Sequence, residues 1–428
     1  MPHKAMPFVG AVFVILQYNH EPPRETVRPP GLPEFAPTHL STMTLHDFDA
    51  IRPLSPEELP AAFDQLLADP QFCGILQMLF KDIPLDILKA KLYACKTNLD
   101  VQKTFLYPLI KDLLSKCSTG ITMDDSAIAP EKRGEAYTYV SNHRDIVLDS
   151  ALLNVQMIEK GYPETAEIAI GDNLLVYPWI RTLVRLNKSF IVQRSVGLRE
   201  MLTSSKRMSE YMHFALNHLH ESIWIAQREG RAKDSNDRTQ ESVLKMMAMG
   251  GEGTPFERLK DMNIVPLSIS YEYDPCDFLK AKEFQQKRDD ENFRKSPQDD
   301  LTNMQTGIFG FKGRIVYRHA APINTWIDEL ADLPKAQFFG EVARRMDHAI
   351  HLGYEMFPNN YVALDLLRDS NAMEAHYTPE QKAQFESYLK ERIQMVDLPQ
   401  KDEAFLRERI LTMYANPLIN QLEAQAAR

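Results

Sequence analysis

Cysteine is scarce: Cys73, Cys95, Cys117 and Cys276 are the only four in 428 residues, and no two form a C-x-x-C pair. That spacing excludes a disulfide framework and a cysteine zinc site, and it suits a reducing cytoplasm. Long apolar runs are missing too. The most apolar stretch, residues 6–16, is interrupted by Pro7 and Gly10 and falls short of the ~18 residues needed to span a bilayer. Only Lys4 precedes it as a basic residue, and no small-residue cleavage site follows, so it fits a secretory signal poorly. It reads either as a shallow interfacial anchor or as sequence ahead of a later start at Met43. Positive charge is in deficit, with 49 basic against 59 acidic residues and a net charge of −10, which argues against a phosphate-tracking nucleic-acid binder. No G-x-S-x-G elbow, glycine-rich phosphate loop or Asp-Phe-Gly triplet occurs, which removes the serine-hydrolase and kinase readings.

What is present is 44% apolar residues over a length that supports a large core. Residues 1–42 form a leader ending in a linker punctuated by Pro22, Pro23, Pro29, Pro30, Pro33 and Pro37, which cannot be helical. Residues 43–120 read as an N-terminal helical region. Ser55-Pro56-Glu57-Glu58 is a helix start, and Phe105, Leu106, Leu109, Leu113 and Leu114 recur at helical spacing. Over 121–365 short β-branched runs alternate with helical stretches: 138–140, 167–170, 189–192, 222–226, 264–270 and 313–317. That alternation predicts an α/β domain, a sheet flanked by helices. Residues 366–428 read as a C-terminal helical region, with Thr378-Pro379-Glu380 opening one helix and Pro399 separating it from the last.

The most informative segment is residues 139–154, where a strand gives way to an apolar helix through the polar turn Ser141-Asn142-His143-Arg144. A histidine there, backed by a carboxylate, has the makings of a general base. Two acids follow it, Asp145 and Asp149, and either could serve. On a continuous helix the six-residue step from His143 to Asp149 turns through about 240°, so the pair requires His143 to lie in the loop before the helix.

Cations cluster nearby despite the acidic total. From 178 to 207 there are Arg181, Arg185, Lys188, Arg194, Arg199, Lys206 and Arg207 against the single acid Glu200. Further along, Arg231 and Lys233 follow a strand across Glu229-Gly230. Such guanidinium groups suit a phosphate or carboxylate ligand. His213, His218 and His220 do not have metal-ligand spacing, and no metal site is expected.

Four segments in order resemble the glycerophospholipid acyltransferases, the group of glycerol-3-phosphate and lysophosphatidic acid acyltransferases. They are Asn142-His143-Arg144 through Asp149; Gly171-Asp172-Asn173-Leu174 through Arg194; residues 223–233 with Glu229, Gly230 and Arg231; and residues 264–271 with Pro266. The match covers roughly residues 138–275, with 313–323 read as an extension of it. Two departures stand out. The family's first block has four residues between His and Asp, and this chain has five; its third block reads Pro-Glu-Gly-x-Arg, whereas here Arg228 precedes Glu229-Gly230 and Arg231 follows at once.

The resemblance implies an O-acyltransferase of phospholipid synthesis that moves a fatty acyl group from acyl-CoA or acyl-ACP to glycerol-3-phosphate or lysophosphatidic acid. It implies His143 as the base with Asp149 or Asp145, and Arg144, Asn173, Arg194, Glu229, Gly230, Arg231 and Lys233 as substrate-binding residues. No cofactor is expected beyond the donor thioester. The expected partners are acyl carrier protein or coenzyme A thioester, a small anionic acceptor and a membrane surface contacted peripherally from the cytoplasm, through residues 105–114 or 6–16; nucleic acid is not expected. Two other readings remain open: O-acylation of an N-acylated amino acid lipid by the same chemistry, and a catalytically inactive lipid-binding relative.

Overall fold

A computed structural model describes residues 43–172, 175, 177–193 and 198–427. The fold is α/β, a seven-stranded mixed sheet flanked by helices, with helical regions before and after it. The strands are β1 (Gly120–Asp124), β2 (Thr138–Ser141), β3 (Glu167–Gly171), β4 (Ser189–Val192), β5 (Ile223–Ala226), β6 (Ile264–Tyr271) and β7 (Arg314–His319). Six of these fall on runs expected from the sequence. β1 does not: only Met123 in it is buried, and an exposed strand leaves no alternating pattern to read.

The described residues form two compact units. One comprises the chain up to Lys111, Glu164–Ile223 and Met246–Met262; the other comprises Asp112–Pro163, Trp224–Lys245 and Asn263 onward.

In the first unit β3 lies parallel to β4, with Ile168 opposite Ser189. Its helical part packs Leu59, Phe63, Leu66, Leu76, Leu88 and Phe105 into one apolar cluster. The Ser55 start signal is a reciprocal cap, with the Ser55 amide donating to Glu58 Oε2 at 2.7 Å. Phe105, Leu113 and Leu114 are buried, while Leu106, Leu109 and Ile110 between them are partly exposed; of the two expected membrane contacts, residues 6–16 lie outside the described residues. The bases of 178–207 are mostly committed as well. Arg185 donates to the Arg52 and Asp49 carbonyls, Arg181 to the Ala50 carbonyl and Arg207 to the Asp47 carbonyl. Lys188 is buried between Glu164 and Glu221, and Lys206 pairs with Glu210. These contacts tie the run to the main chain of this unit, while Arg181 and Lys206 stay exposed.

In the second unit β6 is the spine. Ile264, Val265, Leu267 and Ile269 are fully buried, as befits a strand covered on both faces. It runs parallel to β2, with Ser141 opposite Leu267, and antiparallel to β7, with Leu267 opposite His319; β1 runs parallel to β7. Because the β2 ladder ends at Leu267, β6 continues four residues past it and carries Tyr271 out over the loop that follows β2. The C-terminal helices Pro358–Arg368, Pro379–Gln394 and Glu403–Ala426 pack through Val362, Leu364, Phe385, Leu389, Leu406 and Ile410. Thr378 caps the middle helix by accepting from the Gln381 amide. Among the described residues no helix is long and apolar enough to cross a membrane.

Candidate active site

The site begins where β2 stops. Asn142, fully buried, uses its side-chain amide as a substitute strand residue: Nδ2 donates to the Ile269 carbonyl at 2.9 Å, and Oδ1 accepts from the Ile269 amide at 2.8 Å. The next residue is thereby held at the carboxyl end of the sheet, where open α/β folds place their ligands. Beside it β5 ends in register, the Gln227 amide donating to the Ser141 carbonyl at 2.8 Å. Trp224 of β5 donates its indole N–H to Ser141 Oγ at 3.1 Å and sets its ring edge-on to His143, centroids 5.9 Å apart.

His143 lies in the loop, because the helix starts only at Leu148 (Leu148–Glu159). The loop position removes the rotational conflict, and Nδ1 meets Asp149 Oδ2 at 2.8 Å. The same oxygen accepts from the Arg144 amide at 2.7 Å and the Asp145 amide at 3.1 Å, while Oδ1 accepts from the Tyr271 hydroxyl at 3.2 Å. An oxygen already taking two backbone N–H groups acts as the acceptor of the ring contact, so Nδ1 donates to it and Nε2 is the nitrogen left for a substrate. The imidazole remains 14% exposed and the Asp149 side chain 0%. A buried, fully satisfied carboxylate thus holds a partly open ring in one orientation.

Asp145, the other candidate acid, does not touch the ring. Its Oδ1 accepts from the Val147 and Leu148 amides at 2.9 and 2.8 Å, which caps the helix that carries Asp149. Burial, followed by repulsion from Asp149, pushes its carboxyl above the usual range. Gly307 makes room for it: a Cβ at that position would fall inside the contact radius of Asp145 Oδ2. Tyr317 completes the support by donating to the Asp149 backbone carbonyl at 2.8 Å.

Arg144 turns inward and pairs with Asp237, which is itself 0% exposed. Burial opposes its charge, but Asp237 foremost more than offsets this and holds the guanidinium protonated. The structure makes it a brace between two loops, and a substrate contact through its guanidinium would require breaking that pair. Lys233 is likewise committed, to Glu283, which also holds Lys287 at 3.0 Å. Glu229 is exposed, its amide donating to Gln240 Oε1 at 2.8 Å. Gly230 has φ +66°, a backbone setting that favours glycine. Arg231 is half-buried and bonds a neutral amide, Asn303 Oδ1, at 3.3 Å. Asn173 and Arg194 lie outside the described residues.

Residues that the sequence reading did not single out complete the site. Tyr271 and Tyr317 are inward positions of β6 and β7, legible as core but not as hydroxyl donors to Asp149. Asp237 lies in a loop 93 residues from its partner Arg144. A cleft beside the His143–Asp149 pair is lined by Arg144, Ser235, Tyr271, Asp274, Tyr354 and Glu355, among others. Each charged group lining it is already paired: Arg144 with Asp237, Asp274 with Lys280 and Glu355 with Arg318. Of the three histidines considered as a metal cluster, His213 is buried and bonds the Met247 carbonyl at 3.0 Å.

No family model and no curated protein matches the chain. Among solved structures, the crystal structure of the 1-acyl-sn-glycerophosphate (LPA) acyltransferase PlsC from Thermotoga maritima is similar over 68% of this chain and 93% of that one, at 12% identity and a TM-score of 0.33. A likeness of that size carries no argument about the site.

Proposed function

We propose that the chain transfers a fatty acyl group from a thioester of coenzyme A or acyl carrier protein to a hydroxyl of a small anionic acceptor, glycerol-3-phosphate or its monoacyl form. The observation that carries this reading is the His143–Asp149 contact of 2.8 Å, with the ring still 14% exposed above a fully buried carboxylate, within the four ordered segments described above. Nε2 of His143 takes the proton as the acceptor oxygen attacks the thioester carbonyl. Asp149 stabilises the imidazolium across Nδ1–H. The tetrahedral adduct then expels the thiolate, which takes the proton back from Nε2, leaving an ester and a free thiol. No protein nucleophile and no cofactor enters the sequence. Arg231 is the arm for the acceptor's negative end, and Arg144, Asp145 and Tyr271 hold the base and its carboxylate in place. Donor chain and product are lipids, so the protein works at a membrane surface in the cytoplasm without spanning it.

The test is transfer of a labelled acyl chain by purified protein to glycerol-3-phosphate, lysophosphatidate and an N-acylated amino acid lipid side by side. His143→Ala abolishes transfer on this reading. Equal transfer by the variant overturns the role of His143. Preference for the amino acid lipid assigns the other acceptor, and retained lipid binding without transfer to any acceptor identifies an inactive relative.

A further inference from the structure

The cations at the carboxyl end of β2 and β5 sort by what already neutralises them. Arg144 belongs to Asp237, Lys233 to Glu283, and Lys280 to Asp274 at 2.5 Å. Lys312 is fully buried and donates to the Ile308 and Gly310 carbonyls. Arg231 donates to the Asn303 amide oxygen and lies against Cys276, with Asp145 and Asp274 near. Arg228 is half-buried and has no hydrogen bond or ion pair among the described residues. Its position follows from the ladder: Gln227 is bonded to Ser141, so Arg228 starts beside the two residues that lead into His143. Asp237 lies in the field of both Arg228 and His143, which agrees with that placement. Arg228 and Arg231 stand three residues apart on one bend, with Gly230 at φ +66° between them.

Resting on the acyl-transfer reading, we propose that Arg228 is the second arm of the acceptor grip and makes the site select a doubly charged phosphate monoester over a singly charged head. Where the resembled family carries proline, this chain carries a guanidinium with no carboxylate committed to it. Arg231 alone lies in the field of Cys276, Asp145 and Asp274, and one partly offset cation discriminates weakly between a monoanion and a dianion. A second, unpaired guanidinium tips the balance to the dianion, which a phosphate monoester carries above its second ionisation near pH ~6.

The experiment compares wild type, Arg228→Gln and Arg228→Lys with three acceptors: glycerol-3-phosphate, its methyl phosphodiester with one charge, and glycerol. Losing one charged hydrogen bond predicts an increase of about 10- to 100-fold in KM for the monoester in Arg228→Gln. The wild-type preference for monoester over diester disappears in that variant, and Arg228→Lys recovers part of it. Binding of glycerol-3-phosphate to His143→Ala and to the His143→Ala, Arg228→Gln double variant, measured calorimetrically, gives the same difference without turnover. An unchanged monoester KM, or equal loss with all three acceptors, overturns the role of Arg228 while leaving the acyl-transfer reading intact. A wild-type protein that transfers to none of them overturns the acyl-transfer reading, and this inference with it.

Discussion

Asp149→Asn is the sharpest single perturbation, because the amide has nearly the shape of the carboxylate and changes only its charge. The amide oxygen can stay where Oδ2 now accepts from His143, Arg144 and Asp145, with the NH2 turned to the Tyr271 hydroxyl. The scaffold therefore survives, whereas Asp149→Ala would strand several buried donors at about 1–3 kcal/mol each. What the amide cannot do is stabilise the imidazolium. The 2.8 Å contact places opposite charges about 4 Å apart, centre to centre, worth about 4 kcal/mol at an effective dielectric of ~20. Removing that from the transition state slows transfer by about 10²–10³-fold at saturating acceptor, since ~1.4 kcal/mol is a factor of ten. Thiol release from the acyl thioester, followed alongside thermal unfolding, measures both quantities. A variant that keeps its melting temperature and loses less than about tenfold in kcat would show that the carboxylate does not serve the ring electrostatically. A double variant with His143→Ala should be no slower than His143→Ala alone, because the two act as one unit.

Three other outcomes follow from the same geometry. Gly307→Ala forces a methyl group against Asp145, so it should cost about 1–3 kcal/mol in denaturant unfolding and lower activity through the helix cap. Arg144→Ala leaves Asp237 buried without its main partner, which predicts a loss of about 3–5 kcal/mol of stability and not a simple rise in acceptor KM. In the first unit, burial followed by repulsion from Glu221 raises the Glu167 carboxyl from 4.5 to about 8, although Tyr211 donates to it at 2.6 Å. The folded state then binds the proton more tightly than the unfolded chain, so stability falls as pH rises from 4.5 to about 8. Glu167→Gln removes that slope, and urea unfolding across this range reads it; a slope that persists unchanged refutes the assignment.

Much of the fold was legible because its strands are short, apolar and set off by turn residues. Residues 189–192 coincide with β4, and 138–140, 167–170, 222–226, 264–270 and 313–317 fall within a residue or two of β2, β3, β5, β6 and β7. β1 escaped because its side chains are mostly exposed. At the site, the requirement that His143 precede the helix was deducible from helical rotation alone, and the choice between Asp149 and Asp145 then fell to geometry. The fate of the cations was not deducible. Arg144 and Lys233 look identical to Arg228 and Arg231 in a sequence, and what separates them is a carboxylate far away in the chain: Asp237 for one, Glu283 for the other. The hydroxyl donors Tyr271 and Tyr317 were hidden for the same reason, since strand alternation tells which way a side chain faces but not which atom it meets.

The amide of Asn142 joins the rigid part of this unit to its reactive part, and few side chains could replace it. Aspartate would oppose the Ile269 carbonyl with like polarity, leucine would leave both main-chain groups of Ile269 unmet, and glutamine is one carbon too long. With that clip in place, the imidazole is carried by the sheet itself, while the turn around Gly230 hangs from the neighbouring strand. Changes in that turn can therefore retune which molecule is gripped without loosening the ring that performs the proton transfer.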